Sequence, residues 1–225
     1  MLSHEYGHVT DPFEVVTAMF NAAVAAGARY QQASVDELRH DGETHAGIVV
    51  AGEERTFDAV LVTAGVWSKD IATSIEDNLP VEAERGYNLT YPGETERLNH
   101  PIILADRGIA LTPLSIGLRF GGFTELGGVT LPPNPAHWKS VRAIAEETIP
   151  GLGTAEAREW MGHRPSVPNS VPVISRSTIS PRVFYAVGHG HYGLSNSAMT
   201  AKFVTELIAD GADERYRAFS IRRFN

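Results

Sequence analysis

Cysteine is absent from the 225 residues. That removes disulfide frameworks, thiolate nucleophiles and cysteine-based zinc sites together, and it is compatible with a reducing cytoplasm. No run of about 18 apolar residues occurs, and the start of the chain lacks a charged-then-apolar signal, so neither a membrane span nor secretion is predicted. Bases are outnumbered, with 19 Lys and Arg against 27 acids and a net charge of -8. A nucleic-acid partner, which needs a basic face, is therefore not expected. What remains is 43% apolar and 20% charged residues, an ordinary globular composition with enough chain for one large or two small domains. The stretch from Met1 to His8 is short and polar, and a capped helix follows at once, so the sequence reads as starting inside a larger fold.

The most informative stretch is Phe184 to Ser195. Phe184 to Val187 are aromatic and branched residues suited to a buried strand, and Gly188, Gly190 and Gly193 permit sharp turning and close approach to a ligand. Ser195 is the predicted cap of a helix carrying Met199, Phe203 and Leu207. Strand, glycine turn and helix N-terminus would aim backbone N–H groups at one point, favouring a polar or anionic ligand. A tight turn with no ligand is the competing explanation.

Earlier, Asp11-Pro12-Phe13-Glu14 places an acceptor at N-cap and proline at the first helical position, and Gly27 sits where a C-terminal cap belongs. A helix over 12–26 is predicted, then short strands around Tyr30 and Val35 and a hairpin turn at Asp41-Gly42 leading into Ile48-Val49-Val50. Asp58 to Gly65 is a continuous apolar run suited to a strand buried on both faces in a parallel sheet, with space for a ligand beyond Ala64 and Gly65. Trp67, Ile71 and Ile75 fit a following helix. From Pro80 the texture changes to short strands at 81–91, 102–104, 109–111 and 118–120, the pattern of an antiparallel sheet. A helix with Trp138, Val141 and Ala145 on one face comes next.

Arg164, between an expected strand end and Pro165, can present a planar fork to a carboxylate or close a structural salt bridge. Arg85 has the same two readings, with Glu84 as the obvious partner; Tyr87 is either a substrate-facing hydroxyl or a half-buried strand tyrosine. His189 and His191, two apart, share a strand face if extended, but no third metal ligand is evident and loop histidines are the expected account.

Five segments together resemble the FAD-dependent D-amino-acid dehydrogenases of the amino-acid oxidase flavoproteins. They are Asp11-Pro12, Ala59 to Ser68 (AVLVTAGVWS), Leu79 to Tyr87 (LPVEAERGY), Trp160 to Pro172 (WMGHRPSVPNSVP) and Val183 to Leu194 (VFYAVGHGHYGL), in the family's order. The resemblance implies a C-terminal portion of such an enzyme. Its fold class is α/β plus α+β, a partial FAD-binding α/β domain (1–79, resumed at 166–225) interleaved with an antiparallel substrate domain (80–165). The implied reaction is oxidation of a D-amino acid to an imino acid, with hydride passing from Cα to flavin. Arg164 matches the GxRP arginine that grips the substrate carboxylate, and Arg85 with Tyr87 matches a second polar patch. Val35 matches a position whose backbone meets the adenine. Thr63, Ala64, Gly65 and Trp67 match the strand end beside FAD, and Gly188, His189, Gly190, His191, Tyr192, Gly193 and Leu194 match the turn against the flavin ring. No catalytic side chain or metal is implied, because the cofactor is the electron sink.

Family members open with a strand, a GxGxxG turn and a helix that hold the FAD pyrophosphate. Neither Gly121-Gly122, Gly127-Gly128 nor Gly151-Leu152-Gly153 makes that N-terminal unit. The unit is thus expected from elsewhere, in the same gene or as a separate N-terminal FAD-binding chain. A non-catalytic relic or interaction subunit is the alternative, and within the enzyme reading a sarcosine, glycine or proline oxidase-like activity stays open.

Overall fold

The computed structural model describes residues 7–152 and 155–224. Met1–Tyr6, from the polar start, and Gly153, from the last glycine pair considered above, lie outside the described residues. In chain order the helices are α1 (Pro12–Ala25), α2 (Ser68–Thr73), α3 (Pro135–Thr148) and α4 (Ser197–Asp210). The strands are β1 (Glu37–His40), β2 (Ala46–Val50), β3 (Glu53–Phe57), β4 (Val60–Val62), β5 (Glu82–Tyr91), β6 (Ile102–Leu104), β7 (Ile109–Leu114), β8 (Gly117–Leu126), β9 (Arg158–Ser166), β10 (Val173–Arg176) and β11 (Val183–Val187). The result is a mixed α/β fold with antiparallel sheets, and it divides into two compact units.

One unit comprises 7–31, Arg85–Glu125 and the described part of Leu131–Gly162. Helix α1 forms where the capping signals place it: Asp11 accepts from the Phe13 and Glu14 amides at 2.8 and 3.3 Å, and Gly27 leaves the helix at φ 102°. None of its residues is buried, and Phe13 is 78% exposed. Tyr30 is not in a strand but packs edge-on against Phe20, ring centroids 5.1 Å apart. The sheet runs β6-β7-β8-β5-β9, with β6–β7 and β7–β8 antiparallel. Leu89, Tyr91, Leu111, Leu118 and Phe120 pack on one core with Val141 and Ala145 of α3. That helix starts at Asn134, whose side chain accepts from the Ala136 amide at 3.0 Å. The antiparallel texture after Pro80 and the apolar face of α3 are thus as the sequence predicts.

The other unit comprises Gln32–Glu84, Leu126–Thr130 and 163–224. Its central sheet is β10-β11-β4, with β11 parallel to β4 and antiparallel to β10. Val183, Tyr185 and Val187 face one core while Phe184 faces a second, under Val204 and Leu207 of α4. β11 is therefore buried on both sides, as its composition suggests. β4 is not: it has one strand neighbour among the described residues, and Leu61 is 38% exposed. β1, β2 and β3 form a separate antiparallel meander. It starts at Glu37, so Val35 lies in irregular chain before it. The predicted turn at Asp41-Gly42 is a longer 41–45 loop, because the Asp41 carboxylate collects the amides of Glu43, Thr44 and His45.

Candidate functional site

The glycine turn leaves β11 in a conformation only glycine adopts without strain. Gly188 has φ 83°, and a Cβ there would lie 2.7 Å from Val167 Cγ1; Gly190 has φ 53°. Gly190–Tyr192 then wind a short 3-10 turn, and α4 begins only at Ser197, after Asn196. Ser195 does not cap the helix: the start falls one residue later than predicted, with Asn196 at the N-cap position and no side-chain cap hydrogen bond. Gly188, Gly190 and Gly193 carry the GxGxxG spacing. The geometry departs from a dinucleotide fingerprint, which needs the helix to open directly from the glycines.

The two histidines of this turn part company. His189 shares a 2.9 Å hydrogen bond between Nε2 and Thr200 Oγ1, and burial pushes its pKa down. His191 Nε2 instead lies 3.7 Å from Glu84 Oε2. Among the described residues no group of three or more His, Asp or Glu is placed to hold a metal. Tyr192 is 67% exposed, and Leu194 is also exposed. Beside the turn, a cavity of about 450 Å³ is lined by Leu61, Thr63, His189, Gly193, Thr200 and Val204, among others.

Thr63, Ala64 and Gly65 carry the chain off the end of β4 into a 3-10 turn, closed by the Trp67 amide on the Ala64 carbonyl at 3.2 Å. Gly65 has φ 59°, with open space where a Cβ would be. Trp67 exposes 55% of its surface and meets His163 edge-on at 6.0 Å between centroids.

Arg164 lies inside β9, which runs through Pro165 to Ser166 rather than ending before it. Proline fits there because its missing N–H costs nothing at an outer strand, and β9 is the outermost of its sheet. Burial pulls the Arg164 pKa down and the charge of Glu84 opposes that shift. Its Nη1 is buried without a hydrogen-bond partner, and so is Nε2 of His163. A buried guanidinium nitrogen with no acceptor costs free energy unless a ligand supplies one.

Arg85 and Tyr87 belong to the antiparallel-sheet unit and are engaged there. Both are 1% exposed. Arg85 donates to the Pro132 carbonyl at 2.8 Å and pairs with Glu125 at 3.4 Å, so its partner is Glu125 and not the adjacent Glu84, whose side chain alternates to the other face of β5. Tyr87 donates to Glu125 at 2.6 Å and accepts from the Asn134 amide at 3.0 Å. The Tyr87 and Arg85 contacts hold the Glu125 carboxyl below the usual range, the hydroxyl contributing most.

The family described as FAD dependent oxidoreductase matches residues 1–207. The chain belongs to the FAD dependent oxidoreductase family. A D-amino-acid oxidase of Bradyrhizobium diazoefficiens is 32% identical over 228 residues, covering 98% of this chain and 53% of the relative. The chain thus spans about half the length of that curated relative. Glycine oxidase from Geobacillus kaustophilus superposes with a TM-score of 0.78 at 21% identity, over 92% of this chain and 57% of that one. L-proline dehydrogenase from P. horikoshii gives 0.81 at 23%, over 95% and 60%. These two establish a shared fold. FAD is the cofactor of the family, and among the described residues of this member no helix is long and apolar enough to cross a membrane.

Proposed function

We propose that this chain carries the substrate-anchoring and flavin-facing part of an FAD-dependent enzyme that oxidises D-amino acids to imino acids. The observation that supports it most is Arg164, a half-buried guanidinium with an unpartnered buried nitrogen and no bonded carboxylate. In this reading Arg164 binds the substrate carboxylate as a charge-assisted fork and so orients Cα. FAD, when bound, supplies the electron sink for the hydride that leaves Cα.

The residues present fit such a cofactor. The close approach at Gly188, the open space at Gly65 and the exposed faces of Trp67 and Tyr192 suit a flat ring system. Val35, Thr63, Ala64, Gly65, Trp67 and Gly188 to Leu194 are assigned to it. Residues 1–79 and 166–225 then serve the cofactor, and 80–165 the substrate. Arg85 and Tyr87 act on the substrate side through the Glu125 network rather than as free donors. The preference for D-amino acids over glycine or proline rests on the 32% identical relative.

The test is to combine the chain with a polypeptide spanning the part of the Bradyrhizobium relative that it does not cover. A flavin spectrum and dye-linked oxidation of D-amino acids are expected; a reconstituted pair that binds FAD without turnover counts against the reading. In the active pair Arg164→Ala raises KM and lowers kcat/KM roughly 100-fold, about 3 kcal/mol of charge-assisted binding. An unchanged kcat/KM means the carboxylate is held elsewhere. A non-catalytic subunit is the second reading. Stoichiometric FAD and turnover with the chain alone refute it.

A further inference from the structure

Glu84, near the start of β5, engages two other elements through one carboxylate oxygen. Its Oε2 accepts from Ser166 Oγ at 2.5 Å and lies 3.7 Å from His191 Nε2 in the glycine turn. Ser166 follows Arg164 by two residues on β9, so the two side chains stand on the same face of that strand. The charge of Glu84 also counters the effect of burial on Arg164. A carboxylate acting on a desolvated guanidinium ordinarily closes on it as a direct ion pair. Here it does not: among the described residues Arg164 has no carboxylate within ion-pair distance, and its Nη1 has no partner. The Glu84 carboxylate is turned instead toward a small cavity of about 90 Å³, lined by Glu84, Ser166, Val167, Gly188 and His191, among others.

We propose that Ser166, aided by His191, detains Glu84 and keeps it off Arg164, so that the guanidinium stays open to a ligand carboxylate. Ser166 and Glu84 are then positioning residues for substrate binding, and the proposal rests on the reading of Arg164 as the carboxylate anchor. The two substitutions act in opposite directions. Ser166→Ala removes the hydroxyl that occupies Oε2; Glu84 swings to Arg164 and competes with the ligand. Glu84→Gln removes the competitor and one negative charge, so an incoming carboxylate binds at least as tightly as before. A contact that was only structural would weaken binding, or leave it alone, in both variants.

The experiment is a ¹⁹F NMR titration of the full chain with trifluoroacetate, a carboxylate that binds without turnover. Wild type, Arg164→Gln, Ser166→Ala, Glu84→Gln and the Ser166→Ala/Glu84→Gln pair are compared, with the melting temperature of each recorded. Arg164→Gln is expected to lose binding, Ser166→Ala to weaken it about tenfold, and the double variant to recover the affinity of Glu84→Gln. That recovery also excludes misfolding as the cause of the loss. If Arg164→Gln weakens binding but Ser166→Ala does not, or the double variant stays as weak as Ser166→Ala, the detention of Glu84 is overturned while the anchor stands. If wild type and Arg164→Gln behave alike, the anchor itself falls and this proposal with it.

Discussion

Asp77→Ala should be among the most destabilising single substitutions in the chain. Asp77 is 2% exposed and follows α2. Its carboxylate accepts from Ser177 Oγ at 2.5 Å, the Thr178 amide at 3.0 Å, Thr178 Oγ1 at 2.7 Å and Tyr185 OH at 3.0 Å. It therefore ties the end of α2 to the β10–β11 connection and to the middle of β11. Thr178 reaches solvent and finds water when the carboxylate is gone. Ser177 and Tyr185, at 3% and 0% exposure, do not. Leaving two such donors unsatisfied costs about 2–6 kcal/mol, and relief from desolvating the carboxylate moves the figure toward the lower end. Domains of this kind are stable by about 5–15 kcal/mol, so the loss is a large fraction of the total. Asp77→Asn keeps one acceptor oxygen and should cost about half as much. Urea unfolding followed by circular dichroism reads both, as a fall in midpoint at constant slope. A loss below about 1 kcal/mol for Asp77→Ala, or an Asn variant as damaged as the Ala variant, would refute the reasoning.

Burial, and next the Asp77 charge, push the Tyr185 hydroxyl above the ordinary phenol range. The folded chain therefore holds this proton more tightly than the unfolded one. Stability is full below about pH 10 and falls above it by up to about 1.4 kcal/mol per pH unit. Tyr185→Phe should make that alkaline limb shallower, and an unaltered slope would show that Tyr185 does not titrate in it. Gly188→Ala, with φ 83° and a Cβ placed 2.7 Å from Val167, should cost about 1–3 kcal/mol in the same unfolding assay; no loss would mean that the turn relaxes freely. Phe120→Ala empties the core beneath α3 and should cost about 3–5 kcal/mol, whereas Leu126→Ala, 82% exposed, should stay within about 0.5 kcal/mol.

Local signals were legible where they depend on neighbours in the chain. The Asp11 cap, the proline start of α1, the apolar face of α3 and the change to antiparallel strands after Pro80 all follow from spacing and side-chain chemistry. The segments around Tyr30 and Val35 are irregular because their apolar residues have no strand partner among the described residues, and Ser195 does not cap α4 because the helix starts one residue later, after Asn196. The candidate segments were legible in the sequence, and the contacts their residues make were not. Glu84 looked like the partner of Arg85 because it adjoins it, yet adjacent strand residues point to opposite faces, and Arg85 meets Glu125 instead.

The glycine turn and the arginine beside proline at 164–165 were set by the sequence alone, because each is a property of a few consecutive residues, and family membership by several such segments in order. Tertiary structure decided which charges are paired. Ser166 meets Glu84 across 82 positions and Asp77 meets Ser177 across 100, and no local propensity encodes such pairs. Tertiary structure also leaves the Nη1 of Arg164 buried with no hydrogen-bond partner among the described residues.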